Sequence, residues 1–416
     1  MELVPGISAH FVQSKKFKTN KITVRFTAPL SLETVAGRML SASMLETANQ
    51  AYPTSQAFRR YLASLYGTDI STSAYRRGQA HVLDLTFTYV RDEFLSKKNF
   101  LTSQILELVK QTLFAPLVQD GAFEPTLFEI EKKQLLASLA TDMDDSFYFA
   151  HKELDSLFFH DERLQLRYSD LRNSISNESP ESSYTCFQDA LKNDRIDFFF
   201  LGDFNEVEVK EWLRSFSFTG RQIDVKPQYQ QPYSNVLREG MVRKNVGQSV
   251  LELAYHCSTS YGDKHHLAMV VMNGLLGGFA HSKLFTNVRE NAGLAYTISS
   301  QLDLFSGQLR MYAGIDRGNR NQARKLMNHQ LLELKKGNFT DLEIEQTKEM
   351  IRRTLLLAQD SQTSLIERVY LNSLLGKSTS DFDSWVEKLN QVDKEAICKA
   401  ANSVRLQAIY FMEGIE

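Results

Sequence analysis

The chain repeats itself once, and that repeat limits the folds open to it. Gly67 opens the segment TDISTSAY, and Gly293, 226 residues later, opens LAYTISS. The turns Gly78-Gln79 and Gly307-Gln308 stand 229 residues apart, and Leu342–Glu345 (LEIE) echoes Phe128–Glu131 (FEIE) at 214. Solenoid units recur every ~20–50 residues, so a period this long means two duplicated domains whose loops have drifted in length. Length agrees. At 416 residues the chain exceeds the ~250–300 at which one hydrophobic core stops growing.

Local patterns give each half its elements. Lys21–Ala28 places Ile22, Val24 and Phe26 on one face and Lys21, Thr23 and Arg25 on the other, the period of two of a half-buried strand. Val35–Gln50 reads as a helix with Met39, Leu40, Met44 and Leu45 on its apolar side, and Ser55–Leu65 as a second. Thr68–Tyr75 and His81–Val90 form a hairpin about Gly78; Ile105–Leu113 and the stretch after Thr126 add helices, and Ile196–Leu201 a buried strand. Residues 218–246 are polar, carry Gly220, Pro227 and Pro232, and lack periodicity, which marks a linker. Beyond it come the strand Ser249–Tyr255, the helix His266–Leu276, the hairpin Leu294–Leu302 with Gln308–Gly314, and helices over Asn321–Lys335 and Asp341–Ala358. Thr340 and Glu343 form a capping box before the last of these. The order belongs to the α+β class: two homologous domains, 1–217 and 247–416, each an antiparallel sheet covered by helices.

Composition narrows the setting. A net charge of −2 argues against a broad nucleic-acid footprint. Cys186, Cys257 and Cys398 are widely spaced, with no C-x-x-C pair, and read as reduced thiols. The first residues lack an apolar signal core, and no apolar run approaches the ~20 residues of a membrane span. The expectation is a soluble, cytoplasmic protein.

Leu276–Ser299 joins a glycine turn, a short helix carrying Leu284, Phe285 and Val288, a second turn at Gly293 and an extended segment. Arg289 and Tyr296 are its prominent polar groups: a planar cationic fork suited to carbonyls and carboxylates, and a hydroxyl able to donate to a carbonyl. Gly277-Gly278, Ser282–Phe285, Arg289-Glu290 and Gly293–Tyr296 together resemble the C-terminal signature of the pitrilysin and mitochondrial-processing-peptidase family, the inverted-motif zinc peptidases. The resemblance implies a LuxS/metallohydrolase-like fold, half of a clamshell. It also implies that Arg289 and Tyr296 contact a substrate backbone. Segments such as YPTSQAFRRYLASLYG resemble, more narrowly, a Gram-positive subgroup associated with 5-aminopentanol modification of elongation factor P.

In that family zinc is held by H-x-x-E-H on the first helix, with the glutamate activating a bound water and a later glutamate completing the site. The matching residues here are Ser43, Glu46 and Thr47. Only the general-base position keeps its type. The later E-x6-E aligns with Glu131 and Ser138, leaving serine at the ligand position; Glu124, in the loop before Pro125, is the substitute carboxylate that the sequence offers. Hydroxyls are poor zinc ligands, so no metal is expected on this chain. His265-His266, His256-Cys257 and His151-Lys152-Glu153 are adjacent sets whose side chains diverge, and His81, His160, His281 and His329 read as surface or satisfied core groups. The resemblance therefore implies a catalytically silent subunit, with no catalytic residue of its own, that pairs with a homologous zinc-bearing peptidase subunit around a peptide or unfolded protein. A peptide-binding or assembly scaffold without a hydrolytic partner, and an independent metallopeptidase with an unrecognised metal set, are the alternatives.

Overall fold

The computed structural model describes residues 1–96, 100–141, 144–376 and 382–415. The chain forms two compact units whose segments interleave along the sequence.

The first unit comprises Met1–Ala140, Tyr168–Lys226 and Ser361–Gly376. Its strands are β1 (Glu2–Val4), β2 (Ile7–Gln13), β3 (Thr19–Pro29), β4 (Asp69–Arg77), β5 (Ala80–Val90) and β8 (Arg195–Gly202), with β6 (Val118–Gln119) and β7 (Ala122–Phe123) as a separate small hairpin. The large sheet runs β1-β2-β8-β3-β5-β4, antiparallel except for the parallel pair β2 and β8. Helices α1 (Val35–Thr47), α2 (Ser55–Ser64) and α3 (Phe100–Phe114) cover the face that carries Ile22, Val24 and Phe26. Ile105, Leu108, Val109 and Phe58 interdigitate there with Leu85, Phe87 and Phe198. Each such side chain removed from water contributes roughly 1.5–3 kcal/mol, so this face holds the unit together.

The other face of β3 corrects the half-buried expectation. Thr23, Arg25 and Thr27 are buried as well, because the helix Gln362–Leu374, far along the chain, packs on β2 and β8. Arg25 forks onto Asp84 at 2.7 Å through both Nε and Nη2, reaches Glu367 at 2.8 Å, and lies 4.2 Å from the ring centre of Tyr370. A polar face is buried by being neutralised.

The second unit comprises Thr141–Arg167, Pro227–Asp360 and Lys377–Glu416. Its sheet, of β9 (Arg238–Lys244), β10 (Ser249–His256), β11 (Ala295–Asp303), β12 (Gln308–Ile315) and β13 (Arg405–Gly414), runs β9-β13-β10-β12-β11. Element for element this matches β2-β8-β3-β5-β4 of the first unit, down to the one parallel pair, here β9 and β13. Strand β9 lies inside the segment read as a structureless linker. It shows no hydrophobic period because it is an edge strand with Arg238, Glu239, Met241 and Arg243 exposed. Leu251, Leu253, Leu309, Met311 and Phe411 build the core against Met269, Met272, Met327 and Leu331. After α4 (Pro125–Thr141) of the first unit, α5 (Ser146–Phe158) crosses to this sheet and packs on β9, β10 and β13. Its Asp155 accepts from Arg310 and from Gln308 at 3.1 Å, and its His151 pairs with Glu252. The sheets use the same device: an apolar face under their own helices, and a charged face under a helix drawn from the other half of the sequence.

Two helices of the glycine-rich stretch differ from expectation. The helix from His266 is α-helical to Asn273 and then widens into a π-helix, Gly274–Gly278, and Phe285–Asn291 is also a π-helix. A Cβ on Gly277 would stand 2.6 Å from the Ser300 backbone nitrogen, so the turn can approach β11 this closely only with glycine. Among the described residues no helix is long and apolar enough to cross a membrane.

Candidate functional site

In the first unit, α1 carries Ser43, Glu46 and Thr47 at its C-terminal end. Both hydroxyls turn back onto their own helix: Ser43 Oγ donates to the Met39 carbonyl at 3.4 Å and Thr47 Oγ1 to the Ser43 carbonyl at 2.9 Å. Glu46 is engaged elsewhere. Its Oε2 accepts from the backbone N–H of Thr72 at 2.8 Å and from the Thr72 hydroxyl at 2.6 Å. Thr72 lies on β4, the edge strand, so the carboxylate occupies a main-chain donor that would otherwise face solvent.

Helix α4 brings Glu131 beside this group. Burial pushes the Glu131 carboxyl up, a hydrogen bond with Thr47 opposes that, and the neighbouring Glu46 charge adds to it; the net shift is upward. Ser138, one turn from the end of the helix, is exposed and donates to the Leu135 carbonyl at 2.9 Å. Glu124 is a helix cap. It accepts from the N–H groups of Thr126 at 3.0 Å and Leu127 at 2.7 Å, and these bonds hold its carboxyl below the usual range despite the opposing effect of burial.

These residues do not fit a zinc ion. Two would-be ligands are neutral hydroxyls closed onto carbonyls, a third points to solvent, and the one carboxylate on α1 already serves two donors. The adjacent histidine sets do not converge either. His256 bonds the Gln231 carbonyl at 2.8 Å, Cys257 the Thr259 carbonyl at 3.7 Å, and His151 pairs with Glu252. Among the described residues, no three of His, Cys, Asp and Glu gather as a metal-binding group. His81 is a core residue whose Nδ1 accepts from Arg38 Nε at 2.8 Å.

In the second unit, Arg289 and Tyr296 are both exposed. The Arg289 guanidinium lies 4.6 Å from the ring centre of Phe285 one turn earlier, with Nε 3.7 Å from Glu290. Gly293, at φ +59°, ends the helix and lets Leu294 hydrogen-bond back to Val288 as the chain enters β11. Tyr296 then falls at an irregularity in the β11–β12 ladder: Ala295 pairs with Ile315 and Thr297 with Gly314, leaving Tyr296 as the extra residue of a bulge. Such a bulge on an edge strand re-aims a side chain. Tyr296 is 64% exposed, and its hydroxyl donates to Asp316 Oδ1 at 3.2 Å. Asp316 raises the phenol pKa by its charge and by that bond.

Thr72 and Asp316 are the partners the sequence reading missed. Nothing in α1 points to Thr72, 26 residues on. Asp316 was within reach, since counting the hairpin register back from Asp303 opposite Gln308 brings 296 level with 315.

The chain is similar in sequence and fold to known proteins. The family model described as the peptidase M16 inactive domain matches residues 177–351. A Bacillus subtilis protein described as a probable inactive metalloprotease, YmfF, is 28% identical over 99% of this chain and 96% of its own. An uncharacterized zinc protease of the same organism, YmxG, is 29% identical over 46% of each chain. The crystal structure of a conserved protein from Enterococcus faecalis V583 superposes with a TM-score of 0.94 at 34% identity, covering 100% of this chain and 98% of that one. With both hydroxyls of the metal motif turned back onto their helix, the chain belongs to the M16 peptidase family as one of its inactive homologues.

Proposed function

We propose that this chain is the non-catalytic member of a peptidase pair. It joins a homologue that bears H-x-x-E-H and zinc, and it contributes Arg289 and Tyr296 to hold the backbone of a peptide or unfolded protein. The observation that carries this reading is the contrast between the two motifs: Arg289 and Tyr296 are displayed to solvent, whereas Ser43, Glu46 and Thr47 are all hydrogen-bonded within their own unit. The pair of Bacillus subtilis relatives, one described as inactive and one as a zinc protease, supports a partner of that kind. The free thiols Cys186, Cys257 and Cys398 suit a reducing compartment, and the cytoplasm is the proposed location.

The test is reconstitution with a zinc-bearing homologue from the same genome, followed by cleavage of an unstructured peptide. Removing one preorganised donor costs on the order of a hundredfold in rate where it meets a developing charge. Arg289→Ala is expected to lose at least tenfold in the intact complex. Full activity in an intact Arg289→Ala complex would remove the assignment. Tight peptide binding by a chain that never recruits a zinc-bearing partner would favour a scaffold instead.

A further inference from the structure

The two sheets match strand for strand except at one edge. In the first unit β1 lies outside β2, antiparallel to it, with Glu2 opposite Ser8 and Val4 opposite Ile7. Strand β9 takes the place of β2 in the second sheet, and among the described residues no strand lies outside it. One hydrogen bond shows which main-chain groups this leaves over. The Lys244 carbonyl accepts from the Ile415 N–H at 3.1 Å, so Lys244 turns its main chain inward, towards the β13 segment. Successive residues of a strand turn theirs to opposite sides. Glu239, Met241 and Arg243 therefore present N–H and C=O away from the sheet.

The side chains along this open edge are mostly cationic, on both faces. On the α5 face, Arg238 Nη1 donates to the Leu157 carbonyl at 3.2 Å, and Lys244 Nζ lies 3.9 Å from the ring centre of Phe149. On the other face, the helix Arg320–Lys336 brings Arg320 Nη1 to 3.3 Å from Met241 Sδ and sets Arg324 on Glu239 at 2.8 Å. Arg243 meets Glu413 at 2.7 Å. Five cations thus border β9 against two carboxylates, and among the described residues no carboxylate pairs with Arg238, Lys244 or Arg320. The whole chain carries a net charge of −2, so the excess is local.

We infer that β9 is a docking edge for an acidic, extended segment of a partner polypeptide, which adds as a further strand where the first sheet carries β1. Unpaired main chain supplies affinity for a strand, and the bordering side chains select which strand. A second copy of β9 would bring cations against cations, so the edge does not pair with itself. An acidic strand meets cations whichever face its carboxylates take. A nucleic acid or an anionic membrane would use the charges and leave the outward N–H and C=O groups of β9 without strand partners. The edge lies at the opposite end of the sheet from β11, which carries Tyr296, so this docking goes beyond the peptidase-pair reading and does not depend on it.

The experiment titrates the full chain into a fluorescein-labelled peptide that alternates glutamate with threonine, and reads binding by anisotropy. The wild type is expected to bind it at least about tenfold more tightly than the same peptide with lysine for glutamate. Met241→Pro removes an outward N–H and places its ring in the path of an added strand, while the β9–β13 bonds remain. It should weaken binding by roughly tenfold or more, and Met241→Ala, which keeps the N–H, by less than about threefold. Arg320→Glu breaks no ion pair and should weaken binding by roughly tenfold. A glutamate peptide N-methylated throughout keeps its charges, lacks every backbone N–H and leaves the protein unaltered; it should bind at least about tenfold more weakly. Equal binding of the methylated and unmethylated peptides, or of the glutamate and lysine peptides, overturns the inference. Single-stranded DNA and phosphatidylserine vesicles are the polyanion controls. If either binds as tightly as the glutamate peptide and Met241→Pro changes neither, the edge is a general polyanion surface and strand addition is wrong.

Discussion

Glu46 Oε2 takes both the backbone N–H and the hydroxyl of Thr72, at 2.8 and 2.6 Å. The carboxylate that stands where the family places its general base is thereby a fastener between α1 and the edge strand β4. Both bonds involve a charged acceptor in a partly buried setting, each worth about 1.5–3 kcal/mol before the cost of desolvation. Glu46→Ala is expected to lower stability by about 1–2 kcal/mol in urea unfolding and to leave peptide cleavage by a reconstituted pair within twofold of wild type. A fall of a hundredfold with no change in stability would return Glu46 to a catalytic role.

The hydroxyls of Ser43 and Thr47 are closed onto Met39 and Ser43 carbonyls, and Ser138 faces solvent. Elemental analysis of the untagged chain is therefore expected to give far less than one zinc per chain, and added zinc should not raise the melting temperature. One tightly held zinc per chain would mean a ligand set other than these residues, and an independent peptidase would become the better reading.

Much of the fold was legible because its signals are local. The period of two in Ile22, Val24 and Phe26 located β3, and the capping box Thr340–Glu343 forms as read, with Thr340 Oγ1 accepting from the Glu343 N–H at 3.2 Å. What escaped depends on distant chain. The burial of Arg25 follows from Glu367 and Tyr370, more than 300 positions on, and no pattern within β3 announces them. Strand β9 escaped because an exposed edge strand needs no apolar alternation. The substitutions at Ser43 and Thr47 were visible as residue types, whereas the partners that now engage Glu46 and Tyr296 emerge only when helix meets strand and the hairpin bulges.

His81 gives the chain an acid limit. Burial, and then the adjacent Arg38 charge, lower its pKa from 6.5 to about 3. The unfolded chain thus binds a proton below about 6.5 that the folded chain refuses, and stability present above that pH is lost as the pH falls, by about 1.4 kcal/mol per unit. Replacing His81 with Gln keeps an oxygen acceptor for Arg38 Nε and removes the titration. Between pH 7.5 and 5.5 the wild type should lose about 1.4 kcal/mol more than His81→Gln in urea unfolding, and equal losses would show that His81 protonates freely in the fold.

The charged face of the first sheet makes the sharpest stability prediction. Arg25 is 2% exposed and Asp84 8%, and Arg25 is bound to Asp84 by two bonds of 2.7 Å, with Glu367 of the covering helix at 2.8 Å. Removing only the guanidinium leaves a buried carboxylate without its counter-charge, so Arg25→Ala should cost about 3–5 kcal/mol. Removing both charges with matched volume, as in Arg25→Met with Asp84→Leu, should cost far less, because two desolvation penalties disappear together with the attraction. Glu367→Gln, at the rim with a side chain 24% exposed, keeps an acceptor for Arg25 and should cost under about 1 kcal/mol. Urea unfolding of the three variants separates two accounts of how the helix Gln362–Leu374 is held. If the pair serves only to bury a polar face without penalty, the double variant stays near wild type and the single one collapses. If the charges themselves select this helix, the double variant loses as much as the single one, and limited proteolysis should then cut first at that helix.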